Sequence, residues 1–136
     1  MNSKRVRPKS VALSLRGFEL APEQVESIVG LPVSEAGTKG ERAKPGVKTL
    51  LKRSFVRFAI EFPDTCRIDE MIPALLAKLG GVSHLCEVRD RVLPEFFEID
   101  LTLPVKNSED QEGGFLPPST LADLSRLRAS LSFQFI

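Results

Sequence analysis

The sequence predicts an α+β fold, a two-layer sandwich in which a mainly antiparallel four-stranded sheet carries helices on one face. Three observations predict it. Four segments alternate apolar and polar residues with period two, the gaps between them hold apolar residues at helical spacing, and Gly or Pro punctuates most junctions. With 136 residues, 42% of them hydrophobic, the chain suits one domain with a substantial core. Alternation along each strand leaves one sheet face wet, so the helices are expected on the other.

Residues 1 to 9, basic at Lys4, Arg5, Arg7 and Lys9, read as a disordered arm, and residues 10 to 136 as a single domain. The first strand sets Val11, Leu13 and Leu15 against Ser14 and Arg16 and stops at Gly17. Pro22 then fits a first helical position, Glu23 favours the positive helix end, Val25, Ile28 and Val29 follow, and Gly30 closes the helix. Val56, Phe58, Ile60 and Phe62 form the second strand, ended by Pro63. The strongest helical stripe is Ile68, Met71, Ile72, Leu75, Leu76 and Leu79. Pro73 lacks an N–H, so this helix should start close to Asp69, which keeps the proline near the first turn. Gly80 and Gly81 end it. Val82, Leu85, Val88 and Val92 fit a further helix better than a strand, and Phe97, Ile99, Leu101 and Leu103 make the third strand. A last helix opens at Pro118 or Ser119 with Leu121, Leu124 and Leu127 on one side, and Leu131, Phe133 and Phe135 give the final strand a buried face. Residues 33 to 54 and 105 to 117 are long connections, of the kind that carry function or move.

Composition removes several function classes. Lys plus Arg number 19 against 18 for Asp plus Glu, a formal charge of +1 that exerts no overall pull on nucleic acid or acidic membranes. No apolar run approaches the roughly 20 residues of a membrane span, and the basic start has no apolar signal core behind it, so a cytoplasmic protein with no membrane partner is expected. Cys66 and Cys86 read as reduced, packed thiols. Together with His84 they supply three soft ligands at no zinc spacing, so no metal is expected. Residues 107 to 114 share only composition with a calcium loop. Gly37, Gly40 and Gly46, with Lys39, Lys44 and Lys48 among them, do not spell a phosphate-binding loop, so no cofactor is expected either.

The run Leu20-Ala-Pro-Glu-Gln-Val-Glu-Ser-Ile-Val-Gly-Leu-Pro32, followed by Gly37-Thr-Lys-Gly-Glu41, resembles the opening of the bacterial domain-of-unknown-function 4279 family. The resemblance extends over residues 10 to 136 and implies a strand, a short helix, a Lys-Gly-Glu loop, then a closing helix and terminal strand. Leu50, Leu51 and Phe55 stand where family members often carry a tryptophan. The family implies no catalytic residues, and it implies an association with toxin-immunity genes.

What remains is a charge asymmetry. Residues 1 to 57 hold 12 Lys/Arg and 5 Asp/Glu, whereas residues 58 to 136 hold 7 and 13. Two patches of opposite sign suit a charge-matched interface, and no complete catalytic constellation is visible. The expected function is therefore a small non-catalytic protein-binding domain, of the kind represented by a bacterial immunity or inhibitor protein that blocks a partner toxin or enzyme. A nuclease-like partner would present positive charge, which selects Glu98, Asp100, Glu109, Asp110 and Glu112 as partner-binding residues. The alternative is a basic-loop module that grips nucleic acid or phosphorylated ligands through Lys39, Arg42, Lys44, Lys48, Lys52 and Arg53. Nucleic acid is disfavoured, because only Phe55 and Phe96 have the strand phase of an open stacking face.

Overall fold

The computed structural model describes residues 8–104 and 113–136. The elements run β1 (Lys9–Arg16), α1 (Pro22–Val29), β2 (Glu35–Gly37), β3 (Phe55–Phe62), α2 (Ile68–Lys78), α3 (Val82–Val92), β4 (Phe96–Leu103), α4 (Pro118–Leu127) and β5 (Ser130–Phe135). They build one sheet in the order β2-β3-β1-β4-β5. β1 lies antiparallel between β3 and β4, β2 is antiparallel to β3, and β5 is parallel to β4.

The fold is α+β as expected, but the sheet is mixed and has five strands rather than four. The added strand, β2, spans three residues, too few for a period-two pattern to register. The parallel pair follows from connectivity: α4 lies between β4 and β5, and adjacent strands joined through a helix return in the same direction.

One face of the sheet makes the core. Val11, Leu13 and Leu15 of β1, Val56 and Phe58 of β3, and Phe97, Ile99, Leu101 and Leu103 of β4 pack against Val25, Met71, Ile72, Leu75, Leu85, Val88, Leu124 and Leu127 from all four helices. Burying each of these large side chains is worth roughly 1.5–3 kcal/mol. On α4 the buried set is Thr120, Leu124 and Leu127, whereas Leu121 is exposed. The spacing i, i+4, i+7 stays on one helix face, and two successive steps of three residues drift off it. Phe133 and Phe135 have the core phase expected of them, yet each is 53% exposed, because β5 stands at the end of the sheet and no described strand lies on its other side.

Local details follow the sequence with two adjustments. Pro73 is the sixth residue of α2, one position deeper than a start at Asp69 would put it, and the Asp69 carbonyl has no N–H at position 73 to accept from. Lys9, placed with the arm in the sequence reading, is the first residue of β1, and its Nζ donates to the carbonyls of Asp64 and Cys66 at 3.1 and 3.0 Å. Gly30 caps α1 in the left-handed region, and Leu93 and Arg128 do the same for α3 and α4 without glycine's freedom. Among the described residues no single helix is long and apolar enough to cross a membrane.

Candidate functional site

The helix-free face of the sheet carries a row of polar side chains fixed by strand register. Arg57 of β3 stands opposite Ser14 of β1, Ser14 opposite Glu98 of β4, and Glu98 opposite Ser130 of β5. Asp100 and Ser132 face each other in the next row. Asp100 is the hub. One carboxylate oxygen accepts from Arg57 Nη1 at 2.8 Å and Ser14 Oγ at 3.0 Å, and the other accepts from Ser132 Oγ. Arg57 also donates to Ser14 Oγ at 3.2 Å, and Arg16 Nη2 pairs with Glu98 at 3.3 Å.

The two carboxyls titrate in opposite directions. Glu98 is raised above the ordinary glutamate range, first by its hydrogen bond with Asp100, then by burial and by the Asp100 charge, against the opposing pull of Arg16. For Asp100, burial pushes upward, but hydrogen bonds with Glu98, Ser132 and Ser14 and the charge of Arg57 outweigh it and hold the carboxyl low. A pair driven apart in this way can pass a proton between its members. Its donors and acceptors are, however, already satisfied by one another on the flat face of the sheet. A shallow depression lies elsewhere, on the helix layer between α1 and α3, lined by Leu20, Glu23, Gln24, Ser27, Ile28 and Arg91.

The residues 38 to 54 form an irregular β-hairpin that extends β2 and β3. Its rungs are an Arg42–Leu50 bridge, Ala43 N–H to the Thr49 carbonyl at 2.9 Å and Leu51 N–H to the Glu41 carbonyl at 2.7 Å. Val47 N–H closes the tip on the Lys44 carbonyl at 3.2 Å, with Gly46 at φ 78° after Pro45, the sequence that a type II turn requires. The root is clamped where Leu51 and Phe55 close over Gly37: a Cβ there would lie 2.6 Å from each side chain. Lys39, Arg42, Lys44, Lys48 and Lys52 are all exposed on this projection and pair with no described acid. Val47 and Leu50 are exposed among them.

The structure therefore treats the expected partner residues unequally. Glu98 and Asp100 share one site, bound to internal cations and hydroxyls, while Glu109, Asp110 and Glu112 lie outside the described residues. Of the basic set, Arg53 is engaged: its Nε meets Glu95 at 2.7 Å and its guanidinium lies 5.2 Å from the Phe96 ring centre. Arg16 sits 4.6 Å from the same ring, so this open-face aromatic already has cationic neighbours. Arg57, Ser14, Ser132 and Arg16 are the members of the network that sequence reasoning missed. The wet phase of β1 marked Ser14 and Arg16, but register between strands is not written in either strand alone.

The remaining nucleophile and ligand candidates have structural partners. His84 Nε2 meets the Val29 carbonyl at 2.9 Å and thereby ties α3 to the end of α1. Cys86, two residues along the same helix, points away from it. Burial, with the negative charges of Glu70 and Asp69, pushes the Cys66 thiol up against the pull of Lys9, which keeps it protonated. Among the described residues no three His, Cys, Asp or Glu side chains converge as a metal site would require.

No family model, no curated protein and no solved structure matches the chain.

Proposed function

We propose that the chain is a non-catalytic protein-docking domain whose basic hairpin, residues 38 to 52, engages an acidic surface on a partner protein. One observation carries this reading: five exposed cations share a structured projection with a single acid, Glu41, and none of the five is in a described ion pair, whereas the sheet-face acids are spent on internal partners. Exposed Val47 and Leu50 among the cations favour a protein surface over nucleic acid, since interfaces combine apolar contact with a charged rim, and the hairpin offers no aromatic ring for bases to stack on. The commitment of His84, the protonated Cys66 and the closed carboxylate network support a binding role. Where the partner is a toxin or another enzyme, docking of this kind is inhibition.

Poly-L-glutamate tests the reading as a defined acidic polypeptide, with single-stranded RNA of matched length as the competing polyanion. Saturable, salt-sensitive binding of the polypeptide is expected, with loss of at least tenfold in affinity on combined Lys44→Glu, Lys48→Glu and Lys52→Glu substitution. Tighter binding of RNA, or a charge-reversed variant that binds as well as the parent, would overturn it.

A further inference from the structure

The two edges of the sheet are built differently. At one edge β2 is three residues long, carries Glu35 and gives way to the hairpin; short, charged edges resist further pairing. At the other, β5 runs for six residues, Ser130–Phe135, with no charge, no proline and no glycine. No described strand pairs with its outer side. Phe133 and Phe135 project from its helix side, stacked at a centroid distance of 6.3 Å and an interplanar angle of 6°, and both are half exposed. Monomeric proteins protect such edges, because an uncharged unpaired strand templates pairing with another chain.

We propose that β5 is a homodimer interface, at which two copies pair antiparallel about a two-fold axis to make one continuous ten-stranded sheet. The occupant is a second copy because the strand is complementary to itself. With Phe133 on the axis opposite its symmetry mate, Leu131 meets Phe135 and Ser132 meets Gln134, so apolar faces apolar on the helix side and polar faces polar on the other. A shift of one residue would set phenylalanine against the polar positions, which fixes the parity of the register. No charge is opposed by a like charge at any rung. Each half-exposed ring offers roughly 100 Å², and four rings with two strand edges approach the roughly 1,000 Å² at which specific interfaces begin. The pairing is independent of the hairpin's role. It would place the two hairpins at opposite ends of the sheet, nine strand spacings or roughly 43 Å apart.

Sedimentation equilibrium on the full chain tests it, across concentrations from about 1 to 500 μM. A concentration-dependent dimer is expected, insensitive to salt because the edge is uncharged, with Phe133→Lys raising the dissociation constant at least tenfold and leaving the circular dichroism spectrum unchanged. Phe135→Lys, nearer the chain end and equally exposed, serves if the first variant does not fold. A wild-type monomer throughout, or a dimer that neither folded variant weakens, overturns the proposal. So does a monomer whose β5 amides exchange as slowly as those of β1, since the chain itself would then cover the edge. A dimer that dissociates with salt and with the charge-reversed hairpin places the contact there instead, and also overturns it.

Discussion

Replacing Glu98 with Gln should stabilise the protein at neutral pH and leave its stability near pH 4 unchanged. Glu98 and Asp100 lie two residues apart on one face of β4, and like charges repel at such a site, by about 4 kcal/mol for a separation of about 4 Å at an effective dielectric near 20. Each has one guanidinium to offset this, but Asp100 takes the nearer, Arg57 at 2.8 Å, together with two hydroxyls. Glu98 is left with Arg16 at 3.3 Å, whose side chain is 45% exposed and screened. The unrelieved remainder falls on Glu98 and amounts to about 1 kcal/mol. Its sign with pH follows from linkage. The folded state holds the Glu98 proton more tightly than the unfolded chain, whose value is near 4.5, so this group's contribution is complete below that pH and is lost as pH rises through the folded value. Glutamine keeps an N–H to donate to Asp100 and never acquires the charge. Urea unfolding of parent and Glu98→Gln at half-unit intervals from pH 4 to 8 should show a difference that grows from nothing to about 1 kcal/mol. A variant less stable than the parent at pH 7, or a gain that does not change with pH, would refute the electrostatic reasoning.

Asp100→Asn should act in the opposite sense, losing about 2 kcal/mol at pH 7 as Arg57 is left unpaired, with the loss shrinking once pH falls through the depressed folded value. Leu93→Gly and Arg128→Gly should each stabilise by about 0.5–1 kcal/mol in thermal or chemical unfolding, since both residues occupy left-handed helix caps at φ 52° and 53°. Gly37→Ala should cost about 1–3 kcal/mol, because its methyl would meet Leu51 and Phe55 at the hairpin root. A stability equal to the parent's would mean that the root can open freely. Cys66 should react with a thiol reagent at pH 7.5 more slowly than a free cysteine, as a raised thiol pKa requires.

The layers of the fold were legible because burial writes a period into the sequence. β1, β3 and β4 bury Val11, Val56 and Ile99 in the expected phase, and α3 was readable from Val82, Leu85, Val88 and Val92. β2 was not, since Glu35, Ala36 and Gly37 bury nothing that would mark them. The exposure of Phe133 and Phe135 was equally hidden: alternation assigns a side chain to a face, and only strand order shows whether a neighbour covers it. The site divides along the same line. Exposed cations of the hairpin form a run in sequence and could be read there. The partners of Glu98 and Asp100 come from β1, β3 and β5, 32 to 86 residues away from them, and depend on register.

The docking account rests on where an acidic partner lands, and nuclear magnetic resonance titration of the labelled chain with poly-L-glutamate reads that location residue by residue. The account predicts shifts concentrated in the amides of residues 38 to 52, largest near Lys44 to Lys48, saturating together and suppressed by added salt. Shifts centred on Arg16, Arg57 and the sheet face, or a titration that leaves the hairpin amides unmoved while others saturate, would contradict it.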